Sequence, residues 1–203
     1  MTGTSIKEAL GRRTLIMGEV GSGKTRLTGK LLEEAVSTGL QGITVLDMAP
    51  EATTLKGIPV GGTLQGATNP KVRHLKSKDI KTPRLSARDA DELFEYADHN
   101  RRMVEENLDE FMRKPTGILF VNDVSIYLQR GEINRLWRVF EAAETVVANG
   151  YYGERLKADH ETGLSSRERT LMEELASRMD RVIRLRPLRL SPILSGLEKG
   201  VSA

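Results

Sequence analysis

One stretch constrains this chain more than any other: Gly18-Glu19-Val20-Gly21-Ser22-Gly23-Lys24-Thr25, spaced G-x-x-x-x-G-K-T. It follows the apolar run Thr14-Leu15-Ile16-Met17, which has the composition of a buried strand. It precedes a segment in which Leu27, Leu31 and Ala35 recur every four residues, with Leu32 and Val36 widening the stripe and Gly39 placed to end a helix. A strand that passes through a glycine-rich turn straight into an amphipathic helix has few solutions: the strand is buried in a sheet and the helix packs back across it. Backbone without Cβ reaches φ > 0 and approaches neighbours closely, so Gly18, Gly21 and Gly23 let several N–H groups converge on one small anion. The helix adds the positive end of its dipole at the same point.

On these residues the chain resembles the P-loop nucleoside triphosphatases. The resemblance implies that Gly18, Glu19, Val20, Gly21, Ser22 and Gly23, continued by Lys24, Thr25 and Arg26, bind the phosphates of a nucleoside triphosphate. Lys24 is then the catalytic cation at the β- and γ-phosphates, and the Thr25 hydroxyl is a Mg²⁺ ligand. Gly117-Ile118-Leu119-Phe120-Val121-Asn122-Asp123, an apolar strand running into an acid, is similar to the Walker B element and makes Asp123 the second metal ligand. Asn122 stands between the apolar run and the acid, so the alternative is Asn122 on the metal side and Asp123 in the catalytic place. Thr145-Val146-Val147-Ala148-Asn149 is a short β-branched strand ending in an amide, and Asn149 resembles a γ-phosphate sensor in its position.

Val124 follows Asp123, so no acid stands immediately after it. The arrangement is similar to the RecA-like branch, in which the water-orienting acid lies just past the second strand. Gly42-Ile43-Thr44-Val45-Leu46-Asp47 supplies that strand, with Glu51 the first catalytic candidate and Asp47 the second.

The remaining chain continues the alternation of strand and helix. Ser5 to Leu10 suggests a short helix at the domain edge. From residue 50 to 83 periodicity vanishes; glycines and prolines punctuate the first half, and Lys71, Arg73, Lys76, Lys78 and Lys81 make the second half basic. The expectation is one long loop or insertion, mobile without nucleotide. Ser86 is the expected cap of a long helix that Pro115 ends. A helix from Glu132 carries Ile133, Leu136, Trp137 and Phe140 inward, and Ser165-Ser166-Arg167-Glu168 has the form of a capping box. Asp180 to Arg186 gives the last strand, and 187–203 an irregular tail. The sum is one domain over residues 1–203, a three-layer α/β/α P-loop NTPase domain around a mainly parallel sheet of about five strands.

Composition narrows the function classes. With 38% hydrophobic and 29% charged residues the chain is an ordinary globule, and no run of about 18 apolar residues suggests a membrane span. Met1-Thr2-Gly3-Thr4-Ser5 leads into no signal-peptide core, so the expected location is cytoplasmic. The absence of cysteine removes thiolate chemistry and cysteine-held zinc. A net charge of +3 permits nucleic acid without demanding it. Three readings stand: a Mg²⁺-dependent ATPase that drives a protein partner or another copy of itself, a small-molecule or nucleotide kinase, and a nucleotide-binding regulator without turnover. A GTPase is disfavoured because the N-K-x-D base-reading motif is missing, and Lys157-Ala158-Asp159 is preceded by Leu156.

Overall fold

The computed structural model describes residues 4–186; the expected tail at 187–203 lies outside the described residues. In chain order the elements are α1 (Ile6–Ala9), β1 (Arg13–Gly18), α2 (Lys24–Ser37), β2 (Ile43–Asp47), β3 (Thr53–Leu55), β4 (Ile58–Val60), β5 (Val72–Lys76), α3 (Pro83–Ser86) and α4 (Ala90–Arg113). Then come β6 (Ile118–Asn122), α5 (Val124–Leu128), α6 (Ile133–Glu141), β7 (Thr145–Tyr151), α7 (Leu164–Arg178) and β8 (Arg181–Leu185).

Six strands pair in the order β5-β2-β6-β7-β1-β8, every neighbouring pair parallel. A parallel sheet is buried on both faces, and successive side chains of each strand go to opposite sides. Leu15 and Met17 of β1 therefore join one apolar cluster, with Leu119 and Val121 of β6, under α4 to α7. Ile16 joins the other, with Val45, Phe120 and Val147, under α1 and α2. The result is the expected α/β/α sandwich, and β7 lies between the strand that enters the glycine-rich turn and the strand that ends in the acid.

The sheet has six strands where about five were expected from periodicity. The sixth, β5, comes from the basic half of the 50–83 segment and pairs in parallel with β2, Val72 opposite Ile43 and Lys76 opposite Asp47. It escapes a hydrophobic reading because an edge strand is only half-buried and its long basic side chains reach outward. The Arg73 guanidinium donates to the Glu110 carboxylate at 2.7 Å and to the Lys114 carbonyl at 2.7 Å, at the C-terminus of α4. Its arginine and lysine, Arg73 and Lys76, also suit an edge that must not pair with other chains. The first half of the segment holds the β3–β4 hairpin, whose two turn residues, Lys56 and Gly57, both have positive φ (50° and 74°) as a type I′ turn requires.

Three local expectations are corrected. Ser86 ends α3; the long helix α4 is capped by Asp89, whose side chain accepts the Glu92 N–H at 2.9 Å. Asp89 wins because it supplies both a cap oxygen and a charge that complements the helix dipole. The box at Ser165 does not form: α7 begins at Leu164 behind Gly163, and Asp159 accepts the Ser165 N–H at 2.8 Å from outside the helix. That leaves Glu168 to turn inward. Trp137 is half-buried at the core margin, between the guanidinium groups of Arg13 and Arg178 at 5.6 and 5.9 Å, and donates to Glu141.

Candidate functional site

The glycine-rich turn is built as its residue types require. Gly21 and Gly23 have φ of 72° and 89°, Gly23 being the N-cap of α2. A Cβ on Gly18 would lie 2.4 Å from the Leu185 carbonyl oxygen, so only glycine lets β8 pack against this end of β1. Glu19 fastens the turn: its carboxylate accepts the N–H groups of Val20 at 2.8 Å, Glu154 at 2.7 Å and Arg155 at 3.1 Å. The Lys24 ammonium donates to the Glu19 carbonyl at 2.9 Å and sits 5.9 Å from the Tyr151 ring centroid. Burial pushes its pKa below the ordinary lysine value, against the pull of Asp123 and Glu19.

A cavity of about 750 Å³ opens in front of this turn, at the carboxyl edge of the sheet, where open α/β sheets place their ligands. Val20, Gly21, Gly23, Lys24, Thr25 and Arg26 line one side. Gly18, Glu19 and Ser22 of the same turn do not line it. Asp123 and Asn149 line the far side, and the β3–β4 hairpin contributes Thr53, Thr54, Pro59 and Val60.

Asp123 follows β6 in the left-handed region, φ 61°, an uncommon conformation for a residue with a side chain. Its N–H donates to the Asn149 Oδ1 at 3.1 Å, and its carboxylate accepts the Ser125 hydroxyl at 2.5 Å. Burial raises its pKa, opposed by the Ser125 hydrogen bond and by the charges of Lys24 and Arg84. The Asn149 amide nitrogen donates to Thr28 Oγ1 at 3.0 Å and to Asn122 Oδ1 at 3.1 Å, and Asn122 in turn donates to Asp47 Oδ1 at 2.8 Å and to the Gly62 carbonyl at 2.8 Å. Asn122 and Asn149, which both line the cavity, are thus also buried braces that tie β2, β6, β7 and α2 together.

Neither second-strand acid lines the cavity. The Asp47 carboxylate is fully buried, accepts from Asn122 and from the Ala49 N–H, and turns its Oδ2 toward His74 Nε2 at 3.4 Å. The Glu51 side chain is 84% exposed and pairs with Lys76 at 2.7 Å.

A buried ion pair in the cavity wall was not foreseen. Arg84, on α3, places Nη2 2.9 Å from Glu168 Oε2, the side chains being only 7% and 3% exposed. Gln129 donates to the same oxygen at 2.8 Å, and the Arg84 guanidinium lies 5.1 Å from the Tyr151 ring centroid. Burial pushes the Glu168 pKa up to about 7, against the lowering by Arg84 and Gln129. The sequence offers Arg84 only as part of the stretch Arg84 to Arg88 and Glu168 only as the acid of an S-x-x-E pattern, because no local spacing links positions so far apart.

Among the described residues no cluster of three or more His, Cys, Asp or Glu side chains is arranged to hold a metal ion. Asp123 is the one carboxylate that lines the cavity, and the hydroxyl residue Thr25 lines it beside the glycine-rich turn. That sparse oxygen set fits Mg²⁺, which keeps several waters and takes phosphate oxygens in place of a full protein cage.

A protein-family profile described as "Helicase HerA, central domain" matches residues 2–191. The chain belongs to this family. It is a P-loop nucleoside triphosphatase domain of the RecA-like kind. A comparison with curated proteins finds no match. Among solved structures, the flagellar accessory protein FlaH from Methanocaldococcus jannaschii is similar at 9% identity and a TM-score of 0.44, over 87% of this chain and 71% of FlaH. An ATPase from the type III secretion system of pathogenic bacteria is similar at 15% identity and a TM-score of 0.39, over 87% of this chain and 51% of its own. The Pif1 helicase from Candida albicans is similar at 13% identity and a TM-score of 0.38, over 89% of this chain and 37% of its own. No helix among the described residues is long and apolar enough to cross a membrane.

Proposed function

We propose that this HerA-family domain binds Mg²⁺ and ATP in the cavity before the glycine-rich turn and hydrolyses the nucleotide to drive a conformational change in a protein partner or a neighbouring copy. The observation that carries the reading is the convergence of Lys24, Thr25 and Asp123 on one cavity, although β1 and β6 are separated in the sheet by β7. Phosphoryl transfer asks a protein for position and for compensation of charge on the phosphate oxygens. The turn amides and the dipole of α2 supply fixed partial charge, and Lys24 leaves the Glu19 carbonyl for the β- and γ-phosphates. Asp123 and Thr25 would hold Mg²⁺, which supplies Lewis-acid compensation when bound.

Glu51 is the proposed water-orienting acid. Pro50 and Ala52 on either side of it line the cavity, so a local rotation of the chain brings its carboxylate inward. What opposes that rotation is the pair with Lys76, a surface contact of the class worth roughly 0–1 kcal/mol, together with the Gly62 N–H bond to the Pro50 carbonyl at 3.0 Å. Asp47, sealed between Asn122 and His74, has no comparable path. ATP is preferred to GTP in this reading because the guanine-reading N-K-x-D motif is missing. The family's helicase description supports a motor role, and nucleic acid is a partner class that the charge of +3 permits.

Phosphate release, measured with Mg²⁺ and either ATP or GTP, with and without small-molecule acceptors, tests this. The expected result is release from ATP that needs no acceptor, and a fall of roughly 10²- to 10⁴-fold in Glu51→Gln with ATP still bound. Transfer only to an acceptor would make the domain a kinase, and binding without turnover would make it a regulator.

A further inference from the structure

A second cavity, of about 530 Å³, lies behind the first, bounded by the segment between β7 and α7. The two share a wall made of Arg84, Tyr151 and Leu156. Arg84 is the one basic residue, among the described residues, that lines both. Its partner Glu168 faces the second cavity, and Gln129, which shares the Glu168 oxygen, faces the first.

A buried guanidinium is a costly object, and it persists where its charge and its donors are satisfied. Arg84 carries five N–H donors, yet Glu168 is its only acidic partner within 4 Å among the described residues, and its remaining donors make no hydrogen bond to protein there. The Tyr151 ring lies near both cations, its centroid 5.1 Å from the Arg84 guanidinium and 5.9 Å from the Lys24 ammonium, and both side chains line the first cavity. Asp123 feels both charges. A ligand group that presents several oxygens between Lys24 and Arg84 would satisfy donors that the protein leaves open, and a tetrahedral phosphate does this.

On the reading that the first cavity binds a nucleoside triphosphate, we propose that Arg84 is a further phosphate-binding residue of that site. It exchanges Glu168 for the terminal phosphate and so distinguishes a triphosphate from a diphosphate. Glu168 holds the guanidinium in place when no terminal phosphate is present. That Glu168 is buried and weakly acidic fits this role, since a carboxylate that is hard to keep charged is an acceptor that a phosphate can displace. The exchange frees Glu168 at the N-terminal end of α7, beside the second cavity, so the occupancy of the terminal phosphate is felt on the far side of the wall.

The test is calorimetric binding of a non-hydrolysable ATP analogue and of ADP, each with Mg²⁺, to the whole chain and to three variants. Arg84→Ala alone strands Glu168, so Arg84→Ala/Glu168→Gln, which removes both charges of the pair, serves as the main variant. The double variant is expected to lose roughly 10- to 100-fold in affinity for the analogue, the range of a charge-assisted hydrogen bond, with ADP affinity unchanged. Glu168→Gln alone is expected to bind the analogue more tightly than the natural chain does and ADP equally well, because Arg84 no longer has a competing carboxylate. If the double variant binds analogue and ADP as the natural chain does while Lys24→Ala weakens the analogue, the role of Arg84 is refuted and the nucleotide site stands. If analogue and ADP weaken together, Arg84 is only a wall, and the proposal is again refuted. If the natural chain binds neither nucleotide, the reading of the cavity falls and takes this inference with it.

Discussion

Glu168 shows how a single buried carboxyl links stability to pH. Its pKa rises from an ordinary 4.5 to about 7 on folding, so between those values the folded chain holds a proton that the unfolded chain has released. Stability through this group is therefore greatest below about pH 4.5, falls as pH rises to about 7, and is level above that. The slope is worth roughly 3 kcal/mol across the window before other groups add their own. Denaturant midpoints measured from pH 4.5 to 8 should show the decline diminished in Glu168→Gln; an identical pH profile in both proteins would contradict the burial argument. Residues of this kind are the ones the sequence hides. Lys24, Thr25 and Asp123 are legible because motif spacing and strand-end position fix them locally. Arg84 and Glu168 meet only through the fold, and the S-x-x-E spacing suggests a capping role for Glu168 that does not form because Asp159 takes the Ser165 N–H.

At the scale of elements, the 50–83 segment divides into parts of different strength. The β3–β4 hairpin is two three-residue strands none of whose residues is fully buried, and a lone two-stranded ribbon is marginal in water. β5 is a five-residue strand paired throughout with β2 in the main sheet. Hydrogen exchange should therefore be fast over 53–60 and slow at the β5 amides bonded to β2. Mg²⁺ with ATP should slow the hairpin amides, because Thr53, Thr54 and Val60 line the cavity. Uniform exchange across the segment, or a hairpin indifferent to nucleotide, would contradict this division. Periodicity could not reveal it: Val72 and Leu75 are the only apolar residues of β5, and Lys56-Gly57 lacks the Asn-Gly form that advertises a two-residue turn.

For the whole molecule, strand and helix alternation was enough to imply a parallel α/β/α domain, because parallel strands need crossovers and crossovers need helices. The order of strands was not carried by any local pattern. It positions the site nonetheless: with β7 between β1 and β6, the glycine-rich turn and Asp123 lie at one edge of the sheet across a gap one strand wide, and both line the cavity there. The braces from Asn149 to Asn122 and Thr28 hold the two sides in register. The cavity is proposed to work on the phosphates of a nucleotide through the Lys24 ammonium, and phosphate release from ATP with Mg²⁺, compared between the natural chain and Lys24→Ala, tests this most directly. The prediction is turnover by the natural chain and none above background in a Lys24→Ala protein whose circular dichroism is unchanged; a Lys24→Ala variant that hydrolyses ATP at the natural rate would contradict it.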